Sequence, residues 1–203
     1  MRITSLAAIA ALVAASAAQA QVPAHAIGIG VSLNPSALIM SDDESTLMLP
    51  IGFGNIHVPI IAGPLKIEPE VGIWRTSSSY SGTGYSSSST GTLLRVGAGV
   101  FHLVRVGGGT ALYVGPRVAM VRTSSSSTYS GGTPSSSHQT NWSLGLAIGG
   151  EHFFSPHFSL GGEVQLNYIT IGDEEHEPST PSTSSYSNHV ISNNGLIFIR
   201  LYL

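Results

Sequence analysis

KIEPEVGIW, Lys66–Trp74, is the stretch on which the fold turns. Its residues alternate. Leu65, Ile67, Pro69, Val71 and Ile73 share one side of an extended chain, while Lys66, Glu68 and Glu70 share the other. Alternation with period two marks a β-strand with two unlike faces. A buried carboxylate is costly unless an opposite charge meets it. The neighbours of this strand therefore decide whether its charged face meets water or a closed interior.

The same alternation recurs along the chain. AIGIGVSL sets Ile27, Ile29, Val31 and Leu33 against Gly28, Gly30 and Ser32. LLRVGAGVFHL sets Leu94, Val96, Ala98 and Val100 against Arg95, Gly97, Gly99 and Phe101. ALYVGPRVAMV, NWSLGLAIGGEHF, FSLGGEVQLNY and the terminal GLIFIRLYL repeat the pattern, with Arg117, Glu151, Glu163 and Arg200 opposite the aliphatic rows. One run changes phase: Leu47, Leu49, Ile51 and Phe53, then Ile56, Val58 and Ile60. Gly54-Asn55 is read as a bulge that resets it, or else as a tight turn. The first reading makes eight strands and the second makes ten.

Charge placement separates two ways of burying such strands. In a soluble sandwich the mixed faces would meet water, and glycine with a few isolated charges makes a poor soluble surface. In a membrane barrel the aliphatic face meets lipid and the mixed face lines the interior. Outside the loops the acids are Glu68, Glu70, Glu151 and Glu163, and Lys66, Arg95, Arg117 and Arg200 share their faces. Such a balanced set suits an internal ion-pair network. The expected fold is all-β, an up-and-down antiparallel transmembrane β-barrel of eight strands. Pro69 and Pro116 interrupt it, since neither donates a ladder bond, and each is expected at a bulge or a missing bond.

Composition agrees. Charged residues make up 9% of the 203-residue chain, against about 25% in ordinary soluble domains. Cysteine is absent, which excludes disulfides and thiol chemistry. The net charge is -3 without a Lys/Arg cluster, so no nucleic-acid partner is expected. MRITSLAAIAALVAASAAQA, residues 1–20, has a basic start, a short apolar run and Ala18-Gln19-Ala20. It reads as a cleaved export leader ahead of a barrel domain over 21–203, with an uncleaved anchor as the alternative.

Three Ser/Thr/Gly/Pro-rich tracts, near 76–92, 123–140 and 173–189, read as long solvated loops. Short turns near 62–64, 105–109 and 155–157 alternate with them, which puts all long loops at one end. Trp74, Trp142 and Tyr168 fall near that end, and Phe101, Phe153, Phe154, Phe158 and Tyr202 near the other. Two interfacial aromatic girdles are expected.

The leader, the loop alternation, the EPEVG strand (Glu68–Gly72) and the terminal GLIFIRLYL together resemble the outer-membrane protein β-barrel domain family, the small OmpA/OmpX-like barrels. The resemblance covers the mature chain. It implies a protein of the Gram-negative outer membrane, surrounded by its lipid and lipopolysaccharide. It also implies periplasmic termini and surface-exposed loops. It further implies that the last strand, with Phe198, Tyr202 and Leu203, is read by the barrel-assembly machinery. Family members usually end in phenylalanine, where this chain ends Tyr202-Leu203.

Fold alone gives no activity. His157, Ser159 and Glu163 share a face and supply the group types of a hydrolase triad, but serine is so common here that such coincidences are expected. SDDES (Ser41–Ser45) and DEEHE (Asp173–Glu177) are acidic but lack calcium-loop spacing. No catalytic residue, metal or cofactor is expected. The expected role is structural or at the surface, with Tyr80, Tyr85, Tyr129 and Tyr186 as anchors for a ligand bound by the loops. A narrow channel for small apolar solutes is the alternative.

Overall fold

The computed structural model describes residues 21–33, 53–177 and 188–203. The leader, the SDDES cluster, Leu47, Leu49, Ile51 and Tyr186 lie outside the described residues. In chain order the strands are β1 (His25–Leu33), β2 (Phe53–His57), β3 (Ile60–Ala62), β4 (Leu65–Gly82) and β5 (Tyr85–Gly107), followed by β6 (Thr110–Tyr129), β7 (Ser135–Ser155), β8 (Phe158–Ile171), β9 (Glu174–Glu177) and β10 (Asn188–Tyr202).

Strand pairing closes the sheet on itself. The antiparallel order runs β10-β8-β7-β6-β5-β4, both β2 and β3 pair with β4 and with β1, and β1 returns to β10. Thus β2 and β3 are two parts of one stave, and the ring has eight staves. β9 stands outside it and, among the described residues, pairs with β7. Closure leaves no strand edge in the hydrocarbon, the condition a membrane-spanning sheet must meet. Both described chain ends lie at the short-turn end, where Gly63 N–H donates to Ala24 at 2.8 Å and Tyr202 N–H donates to His157 at 2.9 Å.

Local irregularities follow from particular residues. Val31 pairs with Ile56 and Leu33 with Phe53, so Ser32 faces both Gly54 and Asn55. That is the phase-resetting bulge, and it excludes the ten-strand count. The gap between β2 and β3 falls at Val58 and Pro59, beside Pro69, which accepts from Val58 N–H at 2.9 Å but has no N–H to return. At Pro116 the β5–β6 ladder likewise skips, between Gly99↔Arg117 and His102↔Val114.

The two faces are opposite in character. Ile29, Ile73, Leu144, Ile148, Val164 and Leu166 are all exposed on the outside, while Lys66, Glu68, Arg117, Glu151 and Arg200 are buried within. This is the inversion a barrel in lipid requires. Inward glycines make room for bulky neighbours: a Cβ at Gly149 would strike the Tyr113 ring, and one at Gly161 the Phe198 ring.

Two expectations are corrected. The tracts near 76–92 and 123–140 are not loops but strand. β4 and β5 stay paired up to Gly82↔Tyr85, and β6 and β7 up to Ser127↔Ser135. Polar composition reports solvation, whereas ladder bonds need only backbone, and strands already in register carry the pairing upward. Ser125–Ser137 and Ser127–Ser135 hydroxyl contacts at 2.8 and 2.9 Å reinforce it. Gly84 (φ 79°) and Gly131 (φ 77°) turn the tips. In the third tract, Glu174–Glu177 forms β9 and β10 begins at Asn188. The second correction concerns the lower girdle: Phe101, Phe153 and Tyr202 are buried inside the barrel. They join Tyr113, Phe198 and Leu103 in one apolar cluster. Trp142, Tyr168 and Phe158 do face outward.

Candidate functional site

The lumen is built on the alternate positions of β4. Lys66, Glu68 and Glu70 point inward in consecutive pleats, because Ile67 and Pro69 between them point out. β6 contributes Arg117, β10 Arg200, β7 Glu151, β8 Glu163 and β5 Arg95. Arg117 is the junction. Its Nη1 donates to Glu70 at 2.7 Å, and its Nη2 reaches Glu68 at 2.9 Å and Glu163 at 3.0 Å. Arg200 donates to Glu151 at 2.7 Å and to the other oxygen of Glu68. Lys66 lies 3.1 Å from Glu68 and 3.3 Å from Glu151. Arg95, partly exposed at the upper rim of the lumen, donates to Glu70 at 2.7 Å. All eight ions form one connected network.

Neutral groups complete it. The Tyr113 hydroxyl donates to Glu163 at 2.9 Å and that of Tyr202 to Glu151 at 2.6 Å. Ser159 donates to Glu151 at 2.5 Å and Gln165 to Glu163 at 2.6 Å. Lys66 Nζ sits 3.9 Å from the Tyr113 ring centre and the Arg200 guanidinium 3.5 Å from that of Phe198. These ring contacts offset part of the cost of desolvating the cations. Below the ions the interior holds the aromatic cluster, side-chain packing of the kind an eight-strand barrel allows.

One member was not picked out from sequence. His57 is fully buried, 3.3 Å from Glu68, 3.7 Å from Glu70 and 2.8 Å from the Ser32 hydroxyl. The signal was present, since outward Ile56 and Val58 require an inward His57 once the bulge is allowed. Ser32, His57 and Glu68 line up as hydroxyl, imidazole and carboxylate. Gly54 lies so close to Ser32 that a Cβ there would meet its carbonyl and hydroxyl. The His157, Ser159 and Glu163 trio does not assemble. His157 contacts the Tyr202 carbonyl at 3.0 Å, Ser159 donates to Glu151, and Glu163 binds Arg117 and Tyr113.

Phe198 and Tyr202 of the last strand are buried and Leu203 is exposed. Above the lumen, β4 to β7 rise as a hydroxyl-rich crown. Tyr80 and Tyr85 pack at one tip with ring centres 6.1 Å apart, and Tyr129 is exposed at the next strand end. β9 docks on β7, where His138 meets Glu175 at 2.6 Å. Among the described residues no cluster of His, Asp and Glu could hold a metal ion.

A closed antiparallel ring, aliphatic outside and ionic within, defines an integral outer-membrane β-barrel. The family model for the outer membrane protein beta-barrel domain matches residues 5–193, and the chain belongs to that family. It is a protein of the cell outer membrane. No curated protein matches it. Among solved structures it is similar to Ail, the attachment invasion locus protein of Yersinia pestis, in complex with the heparin analogue sucrose octasulfate. Identity there is 15% and the TM-score 0.48, over 88% of this chain and 95% of that one. It is also similar to a major outer membrane protein of Thermus thermophilus (14% identity, TM-score 0.44, 89% and 100% covered). Acinetobacter baumannii CarO is a third (10% identity, TM-score 0.42, 87% and 97% covered).

Proposed function

We propose that this protein is a non-conducting, non-enzymatic outer-membrane barrel that displays the β4–β5 and β6–β7 hairpins at the cell surface for recognition. The observation that carries this reading is the contrast between a lumen lined with paired ions and a projecting crown. Inside, the network from Arg95 to Arg200 sets paired charges in the path a solute would have to take. Outside, paired serines and threonines with Tyr80, Tyr85 and Tyr129 form a polar face with aromatic anchors. Such surfaces combine adaptable hydrogen bonding with low ordering cost. In this reading residues 1–20 are removed on export, the termini face the periplasm, and the strand ending Phe198, Tyr202 and Leu203 is the one read by the assembly machinery.

Planar-bilayer recording joined to a binding assay tests it. The reading expects no discrete conductance steps. It also expects retention of host-cell or matrix ligand by the intact protein, lost when the crown is trimmed. Regular steps with crown-independent binding would replace it with a channel.

A further inference from the structure

The residues just ahead of β1 are tied to the short-turn end of the barrel. Val22 and Ala26 pack against the apolar cluster there. The Ala24 carbonyl accepts from Gly63 N–H at 2.8 Å, in the turn between β3 and β4. The Pro23 carbonyl accepts from Arg105 at 2.8 Å, and the same guanidinium nitrogen reaches the Gly63 carbonyl at 3.0 Å. Arg105 stands near the end of β5, so one cation fastens the leading segment to a neighbouring turn. Among the described residues this cation meets carbonyls and no carboxylate.

At the head of the segment is Gln21. It is exposed, and its side chain engages no other group among the described residues. In the export reading given above, removal of residues 1–20 makes Gln21 the first residue. Two residues separate its α-amino group from the carbonyl that Arg105 holds. Extended chain spans at most about 3.6 Å per residue, so the amine comes within roughly 10 Å of the guanidinium, a separation that physiological salt only partly screens. A like charge at that range disfavours the ammonium and favours the neutral amine. The neutral amine is a nucleophile, and the side-chain amide of the same glutamine is the electrophile at the right chain length for a five-membered ring.

We propose that Gln21 is a modification site: once the leader is removed it closes to pyroglutamate beside Arg105, leaving the fastened segment with an uncharged N-terminus. The α-amino nitrogen attacks the side-chain amide carbon. A new C–N bond completes the lactam, the bond from that carbon to the amide nitrogen breaks, and the amine proton departs with that nitrogen as ammonia. No oxidant or reductant takes part. Closure removes one of two neighbouring cations and the free amine that an aminopeptidase requires. The inference rests on the cleavage position proposed above.

The test is a pulse-chase on the full chain, with barrel extracted in the cold from outer membranes. Tandem mass spectrometry reads the N-terminal peptide, because a lactam blocks stepwise chemical degradation. A synthetic QVPAHAIG peptide carried through the same work-up reports closure caused by handling. The exported protein is expected to start at residue 21, to become lighter by one ammonia during the chase, and to close while the peptide stays open. Gln21→Asn keeps the amide but needs a strained four-membered ring, so it is expected to keep its full mass. Arg105→Gln is expected to slow closure about twofold, the size of a like-charge interaction at this range in water, and Arg105→Lys to keep the parent rate. A free Gln21 at the end of the chase overturns the proposal and leaves the cleavage position standing, whereas a first residue other than 21 overturns both. Closure no greater than in the peptide, or undiminished in Arg105→Gln, also overturns it.

Discussion

Arg117 and Glu70 meet at 2.7 Å inside the barrel, from the non-adjacent strands β6 and β4. The same guanidinium serves Glu68 and Glu163, so its removal weakens the pairing of three carboxylates, Glu163 most of all, since Glu70 keeps Arg95 and Glu68 keeps Lys66 and Arg200. Arg117→Leu is expected to cost about 3–5 kcal/mol, measured as a lower urea midpoint in detergent. Adding Glu163→Leu is expected to recover part of that loss, because the carboxylate whose ion pair is with Arg117 goes with it. Strict additivity in the double-mutant cycle would count against a coupled network.

Glycine placement makes a second prediction. Gly149 and Gly195 both sit in strands, but a Cβ at 149 would strike Tyr113 whereas one at 195 meets nothing within 4 Å. Gly149→Val is expected to destabilise by at least about 1–3 kcal/mol. Gly195→Ala is expected to fold like the parent. Gel mobility of unboiled samples, read across a temperature series, separates them.

The crown and the barrel are expected to be separable. Below the serine tract, β4 and β5 are paired from Leu65↔His102 to Trp74↔Leu93. Replacing residues 77–90 by a two-residue turn is therefore expected to leave the melting behaviour of the barrel unchanged. The same deletion is expected to abolish surface-ligand binding. A deletion that unfolds the protein would show that the projecting hairpin stabilises the ring.

Export processing is directly measurable. N-terminal sequencing of protein extracted from outer membranes is expected to start at Gln21. A start at Met1 would mean the apolar segment is kept.

What can be read from sequence depends on how local the cause is. Pleating is local, so parity alone places Lys66, Glu68 and Glu70 on one face and Ile67 and Val71 on the other. Which acid meets which base is not local. Nothing in the order of residues links Arg117 to Glu163 or Arg200 to Glu151 until β4, β6, β7, β8 and β10 curve round to face each other. The phase shift at Gly54-Asn55 conceals His57, since alternation counted from Phe53 puts residue 57 on the wrong side. Phe101, Phe153 and Tyr202 have inward parity, yet their nearness to the turns suggests a girdle. Serine content describes the wetness of the tracts and says nothing of whether their backbones pair.

Every pairing around the ring but one joins staves that follow one another along the chain. The exception is the seam of β1 with β10, from Gly28↔Tyr202 to Leu33↔Ile197. Hairpins can therefore form one after another while the chain is still an open ribbon. The interior charges gain their full complement only when the two ends zip, because Arg200 arrives on the final strand. Completion of the cylinder and neutralisation of its axis are thus a single late event, which makes the half-made ribbon a poor resident of the bilayer and the finished ring hard to reopen.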